Sequence, residues 1–170
     1  MLKDLLNLFF PKVCLACKEH LLANENIVCT TCRHHFQLTL HSENQNNEII
    51  RKFYGRLTLE HASALLYFHK NGIVQELIHN LKYKNRQEIG TLLGEWYAED
   101  LKNIHAELSF DAIIPVPLHK KRMRERGYNQ MTTFGQALSK SLQIPLCENI
   151  LHRDSYAKTQ TKKNFLERTE

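Results

Sequence analysis

The chain has 170 residues, of which 42% are hydrophobic, and it carries a formal net charge of +5. This length and apolar content are enough to bury the core of one medium domain, or of one small domain with an appendage. No stretch approaches the roughly 20 apolar residues that a bilayer crossing needs, which excludes a transmembrane segment and predicts a soluble protein. The basic surplus favours nucleic acid or phosphate ligands, although many ordinary soluble proteins share it.

Residues 1–11 superficially resemble a secretion signal, but Asp4 and Asn7 interrupt the short apolar run and no small-residue cleavage site follows. We interpret the segment as a short amphipathic helix whose leucines and phenylalanines pack on the next module. Without a signal, the expected location is the cytoplasm.

Four cysteines follow as two CxxC pairs separated by eleven residues: Cys14, Cys17, Cys29 and Cys32. Each pair can bring two thiolates to one point, and two pairs supply the tetrahedral sulfur set that zinc prefers. A closed shell of four thiolates predicts a structural Zn²⁺ ion rather than a catalytic one. The alternative, a pair of disulfides, does not suit a reducing cytosol.

Other metal-ligating side chains lie near this module. His20, His34, His35 and His41 could each replace a cysteine, but four cysteines already satisfy the metal, so we expect these histidines on the surface. Cys147 is the odd thiol and is interpreted as an ordinary buried residue.

Residues 41–48 are polar and lack apolar periodicity, which indicates a linker or exposed loop and a domain boundary. The predicted organisation is an N-terminal helix and zinc finger in residues 1–40, a polar linker in 41–52, and a second domain in 53–170.

In the second domain, residues 62–68 have the length and composition of a strand. Apolar stripes at helical spacing then predict one helix over 73–81 and another over 89–104, with Trp96 in the packing. Between the helices, Lys82, Lys84 and Arg86 surround Tyr83. This pattern fits contact with a nucleic-acid backbone, but a solvated helix end explains it as well.

The next elements predict a βαβ unit. Residues 111–115 are an expected buried strand, 127–143 a helix and 146–151 a weaker strand. This order implies an α/β fold, in which a parallel sheet carries helices on its faces and binds ligands at the carboxyl ends of its strands.

A dense basic block follows the first of these strands. Arg122 and Arg126 are four residues apart, so on a helical turn they could clamp one phosphate together. Gly127 would let the backbone approach the anion, while Asn129 and Gln130 could order the loop or donate hydrogen bonds. The predicted phosphate- or nucleic-acid-binding residues are Lys120, Lys121, Arg122, Arg124, Arg126, Gly127, Asn129 and Gln130. The alternative is a basic loop that is merely solvated.

These features together resemble the ComF family of competence and DNA-uptake proteins, which is grouped with amidophosphoribosyltransferase-like proteins and the gluconate-utilisation relative GntX. The resemblance covers nearly the whole chain and lies in the four-cysteine module, in Leu81-Lys82-Tyr83, in PVPLH at residues 115–119 and in RGYNQ at 126–130. A later part resembles Arg153, Thr159-Gln160 and Arg168.

The resemblance implies a type I phosphoribosyltransferase fold behind a zinc finger. Residues 117–127 would then contact pyrophosphate, and 152–168 would form the mobile loop that closes over the site. Family members continue with a strand ending in two adjacent aspartates and a Thr/Gly-rich turn, whereas this sequence has no Asp-Asp pair. We therefore expect residues 53–170 to be a phosphoribosyltransferase-like domain that lacks its C-terminal part.

Such a chain should be inactive alone, with no assignable catalytic residue, and should use phosphoribosyl pyrophosphate with Mg²⁺ only as part of a complete domain. It should also self-associate through an unpaired sheet edge. The favoured function is that of a DNA-uptake protein whose basic loops bind single-stranded DNA or whose zinc finger meets competence-machinery proteins. The alternatives are a phosphoribosyltransferase acting on a small nucleophile and a nonfunctional fragment.

Overall fold

The computed structural model describes Phe9, residues 11–44 and residues 46–156. In this part of the chain the helices, in order, are α1 (Thr30–His35), a 3-10 turn (His41–Glu43), α2 (Glu48–Phe53), α3 (Ile73–Tyr83), α4 (Glu88–Leu108), α5 (Lys120–Arg126) and α6 (Gln130–Leu142). None of these helices combines the length and apolar character that a membrane crossing requires. The predicted N-terminal helix falls mainly outside the described residues, as does the predicted mobile loop beyond Tyr156.

The two helices predicted from apolar stripes are confirmed as α3 and α4. Their buried faces meet residues of the cysteine module in one apolar core, which contains Cys14, Ala16, Cys29, Cys32, Phe36, Leu77, Leu81, Ile89 and Leu93. The module therefore shares its hydrophobic core with α3 and α4. A cluster this small gains much of its stability from such shared burial.

Helices α4 and α6 form the most extensive helix pair of the described residues. Gly94 allows the approach, because a Cβ atom at this position would lie 2.6 Å from the Phe134 carbonyl oxygen and 2.7 Å from the Ala137 Cβ. A second apolar cluster of Ala98, Leu138, Leu142 and Ile144 continues this contact.

The predicted parallel sheet is not supported, since the described residues form isolated bridges and no strand. Ile113 pairs in parallel with Leu146, and the hydrogen bonds run from Ile113 N–H to Pro145 O (2.9 Å) and from Cys147 N–H to Ile113 O (2.9 Å). The pairing stops there, because the next ladder donor on the Ile113 segment would be residue 115, and Pro115 has no N–H.

The predicted strand at residues 62–68 is also reduced to one bridge, in which Leu66 pairs antiparallel with Leu38. Its apolar residues are used differently from the prediction: Leu65 and Leu66 pack against the core that joins the cysteine module to α3 and α4. An apolar run of this length satisfies its burial by packing on helices as well as by pairing in a sheet.

The helix predicted over 127–143 is wrong at its start. Gly127 has φ of 80° and ends α5 in the left-handed conformation that glycine adopts without a Cβ penalty. Asn129 then begins α6 as its N-cap, with its side-chain oxygen accepting from the Met131 N–H at 3.1 Å. The basic block is consequently a short helix of its own.

Candidate functional site

The first cysteine pair lies in a tight turn. Lys18 adopts a left-handed conformation with φ of 71°, and its N–H donates to the Cys14 carbonyl at 2.9 Å. The Cys14 N–H in turn donates to the carbonyl of Glu19 at 2.8 Å, which closes the turn. The turn places the Cys14 and Cys17 sulfurs within 4.8 Å of each other and of the sulfurs of the second pair.

The second pair is positioned by α1. Cys29 is the N-cap of this helix, and its sulfur accepts a hydrogen bond from the Cys32 N–H at 3.4 Å. The Cys29 N–H donates to the Cys14 sulfur at 3.3 Å, which ties the two pairs together. Main-chain donors directed at sulfur stabilise thiolates, the form in which cysteine binds metals.

The four ligand atoms Sγ of Cys14, Cys17, Cys29 and Cys32 all lie within 4.8 Å of one another. The Sγ atoms of Cys17 and Cys29 are 3.7 Å apart. Four sulfurs at about 2.3 Å from a central zinc would be about 3.8 Å apart in a tetrahedron. The donor set and its spacing therefore fit a metal ion held by four thiolates.

The thiols of this cluster have very different acidities. Burial acts to raise the pKa of Cys14, but backbone hydrogen bonds at Cys17, Cys29 and Ala16 outweigh it and bring the pKa to about 7. Burial raises the pKa of Cys32, and hydrogen bonding with the neighbouring thiols Cys17 and Cys29 raises it further. Like charges this close together oppose one another, so a bound cation would favour the form in which all four groups are thiolates.

The nearby histidines lie outside the sulfur cluster. His20, His34 and His35 are exposed, in agreement with the prediction. His41 contradicts it, because it is 8% exposed and packs its ring edge-on against Tyr67 with centroids 6.0 Å apart. Its burial could not be inferred from the polar residues that follow it in the chain.

A basic pocket of about 300 Å³ opens between the end of α3 and helix α5. It is lined by Lys82, Tyr83, Lys84, Asn85, Arg122, Glu125, Arg126, Tyr128 and Tyr156. Four cations thus converge from two segments that are about 40 residues apart in the chain. Three tyrosine rings, one carboxylate and the amide of Asn85 complete the lining.

Main-chain geometry sets the position of α5 in this pocket. His119 is its N-cap, and the Nδ1 atom accepts from the Lys121 N–H at 3.2 Å. Beyond α5, the hydroxyl of Tyr128 donates to the carbonyl of Leu81, which lies in the last turn of α3. The buried Asn129 donates from Nδ2 to the Val116 carbonyl at 3.1 Å. The Tyr128 bond ties the end of α5 to α3, and the Asn129 bond joins the chain segments before and after α5.

The cations of α5 also contact aromatic rings. The guanidinium carbon of Arg126 lies 5.2 Å from the centroid of the Tyr83 ring, and its Nη1 donates to Gln130 Oε1 at 2.7 Å. The Lys121 ammonium and the Arg122 guanidinium lie 4.8 and 5.9 Å from the centroid of the Tyr156 ring. Cations held in this way are oriented before any ligand arrives.

The structure distributes the predicted binding residues over several roles. Arg122 and Arg126 line the pocket, Gln130 orients Arg126, and Asn129 is a buried structural residue. Lys120, Lys121, Arg124 and Gly127 are exposed and are not among the lining residues.

The sequence pattern Lys82-Tyr83-Lys84, left open between two interpretations, lies on the pocket wall. Tyr128 and Tyr156 also line it and were not predicted. Tyrosines next to cationic segments are the signal that could have identified them.

Two curated proteins are similar to the chain. Competence protein F of Haemophilus influenzae is 28% identical over 162 residues, which cover 89% of this chain and 70% of that protein. Competence protein ComFC of Bacillus subtilis is 23% identical over 135 residues, which cover 79% of this chain and 55% of that protein, so the chain spans little more than half the length of this relative. No family model matches the chain, and no solved structure matches it significantly.

Proposed function

We infer from its similarity to two competence proteins that this chain is a competence-related protein of the ComF family. From this premise we propose that it binds single-stranded DNA through the basic pocket. The ligand chemistry is the phosphate backbone, neutralised by cations from α3 and α5. The unpaired bases of a single strand would stack on the tyrosine rings, whereas the bases of a double helix are already stacked on one another and would not.

One observation carries this proposal: lysines and arginines converge with tyrosines on a single concave surface. Lys82 and Lys84 approach from one side, and Arg122 and Arg126 from the other. Tyr83 is 58% exposed despite the neighbouring guanidinium, so part of its ring remains accessible to a base. A basic groove with interleaved aromatic rings is typical of proteins that bind single strands without sequence preference.

The test is salt-dependent binding of a labelled oligothymidylate. The double substitution Arg122→Ala with Arg126→Ala removes two contacts to phosphate. It should reduce the magnitude of the slope of log K against log salt by about 1.4, since each contact to a single strand contributes about 0.7. A matched control replaces two exposed lysines outside the pocket, in Lys52→Ala with Lys140→Ala. It lowers the net charge equally and should leave the slope nearly unchanged.

Absence of binding at low salt would rule out the proposal. Equal losses in the two double variants would mean that net charge, rather than the pocket, attracts the strand. Equal affinity for duplex and single strand would remove the role of the tyrosine rings.

For the cysteine cluster we propose a structural Zn²⁺ ion bound by Cys14, Cys17, Cys29 and Cys32. The support is the all-sulfur donor set and its tetrahedral spacing. When bound, the ion offsets half of the charge of the four thiolates and cross-links the two halves of the module. Four cysteines can serve as ligands only where they stay reduced, which favours a cytoplasmic location.

Elemental analysis should find one zinc per chain, and Cys29→Ser should lose it together with much of the folding free energy. Cys147→Ser is the control, because this thiol lies outside the cluster, and it should retain the metal. A folded, zinc-free protein containing two disulfides would contradict the assignment.

A phosphoribosyltransferase-type activity is the second candidate. It is favoured by one observation: Ile113 and Leu146 form a parallel bridge, and the chain between them contains the basic helix α5 and then α6. In such an enzyme the basic residues would orient pyrophosphate and neutralise it as it leaves. Release of pyrophosphate from phosphoribosyl pyrophosphate in the presence of Mg²⁺ and a nucleophile would support this function.

A further inference from the structure

Asn80 is a buried polar residue within the apolar face of α3. Asn80 is only 4% exposed and lies in the helix between the fully buried Leu77 and the buried Leu81. Asparagine is a weak helix former, and a buried amide costs free energy unless it forms hydrogen bonds. A residue of this type at this position therefore needs partners that compensate it.

The side chain of Asn80 reaches the metal module. Its Nδ2 donates to the carbonyl oxygen of Leu15 at 2.7 Å. Leu15 lies within the first CxxC turn, next to Cys14. The bond thus fixes the main chain of this turn to α3 and satisfies a carbonyl group at the edge of the core.

The main chain of the same residue organises the basic pocket. The Asn80 carbonyl accepts from the N–H of Lys84 at 3.0 Å and from that of Arg86 at 3.4 Å. These bonds form the turn that presents residues 82–85 on the pocket wall. The carbonyl of the next residue, Leu81, accepts a hydrogen bond from the hydroxyl of Tyr128, which lines the opposite wall of the pocket.

A second contact runs parallel to this path. Glu76 of α3 pairs with Lys18 of the metal module at 3.3 Å and with Lys84 of the pocket at 3.8 Å. Both lysines are more than half exposed, so the ion pairs are worth little by themselves. The buried Asn80 is the stronger link.

We propose that Asn80 is a positioning residue that couples metal binding at the four cysteines to anion binding in the basic pocket. The coupling follows from shared geometry: a metal that orders the CxxC turn also orders the end of α3, and the pocket then needs less ordering when a phosphate binds. The inference rests on the proposed function of the pocket. By linkage, the bound anion must favour retention of the metal by the same factor.

The experiment measures the equilibrium distribution of zinc between the protein and a competing chromogenic chelator, with and without saturating oligothymidylate. In the unaltered protein the oligonucleotide should raise the zinc affinity about fivefold or more. In Asn80→Leu, which removes the amide donor but leaves the main chain, this effect should disappear, although zinc and oligonucleotide each still bind. The control is Asn103→Leu, the same change at an exposed position of α4, which should retain the full effect.

Tyr128→Phe provides a second variant in case Asn80→Leu does not fold. It leaves the Asn80 bond to the metal module intact but removes the hydroxyl bond to Leu81, so the coupling should again fall while the zinc affinity without oligonucleotide stays the same. Direct titration of the unaltered protein with oligothymidylate separates the two hypotheses. No binding defeats the proposed function, whereas binding without any effect on the zinc affinity, or an unchanged effect in either variant, overturns the coupling.

Discussion

Three buried asparagines each bind a distant main-chain carbonyl. Asn47 donates to Ala62 at 2.6 Å, Asn80 to Leu15 at 2.7 Å and Asn129 to the carbonyl of Val116 at 3.1 Å. Asn47 and Asn129 also cap the helices that follow them. Side-chain amides thus join segments that, within the described residues, share no extended ladder.

The Glu76 carboxylate is the ion-pair partner of both Lys18 and Lys84. The hydrogen bond from Lys18 holds the pKa of Glu76 below its ordinary value; burial opposes this shift, and the charges of Lys84 and His79 add to it. A carboxyl with a lowered folded pKa stabilises the fold above its unfolded pKa and loses that contribution as the pH falls through the folded one.

Glu76→Gln should therefore lower the free energy of unfolding at pH 7 by at most about 1 kcal/mol, since the lysines are well exposed. Urea denaturation of both proteins measures the difference, which should shrink as the pH falls below about 4.5, the ordinary pKa. A difference that persists in acid would contradict an ionic origin.

Residue-level prediction succeeded where the spacing itself carries the chemistry. Cys14, Cys17, Cys29 and Cys32 were found from their positions alone, and the structure brings them together. Asn80 gave no such signal, because its partner lies 65 residues earlier in the chain and is a main-chain carbonyl that any residue could provide. Contacts of this kind depend on how the helices pack.

Among the elements, α4 and α6 depend on a close approach at Gly94. In Gly94→Ala the new methyl group would meet the Phe134 carbonyl oxygen at 2.6 Å, and a backbone atom cannot move aside cheaply. We expect a loss of about 1–3 kcal/mol from overpacking, despite the better helix propensity of alanine. Thermal and urea unfolding check this value.

Thr91→Ala is the matched control for this change, since Thr91 is exposed on the same helix. It should alter the stability by no more than about 0.5 kcal/mol. A Gly94→Ala protein as stable as the unaltered one would mean that α4 and α6 separate without cost.

Helices were predicted better than extended segments for a physical reason. The apolar stripes of α3 and α4 repeat over several turns, so they specify both the element and its buried face. Residues 62–68 and 111–115 are short apolar runs, which serve equally as strands or as irregular segments packed on helices. Whether they pair depends on a neighbour that the run itself does not specify.

Apolar side chains are exposed on the two segments that meet at the bridge between Ile113 and Leu146. Ile114, Val116, Ile150 and Leu151 are between 42% and 65% exposed. Apolar residues next to unpaired main-chain groups favour association with other chains. We therefore predict that the apparent mass rises with protein concentration.

Val116→Lys with Ile150→Lys should suppress this association, as measured by light scattering or sedimentation. Leu22→Lys with Tyr54→Lys replaces two other exposed apolar residues and serves as the control. A mass that stays monomeric at all concentrations, or falls equally in both double variants, would contradict an interface at the bridge.

The position of the only tryptophan gives the molecule a built-in optical reporter. Trp96 of α4 packs edge-on against Phe36 with ring centroids 5.8 Å apart, and the Arg33 guanidinium carbon lies 5.3 Å from its ring centroid. Both partners belong to the segment that carries Cys32. If the cysteine module separates from α4, the indole loses these neighbours and gains water, so the wavelength of its fluorescence should follow that separation in real time without an attached dye.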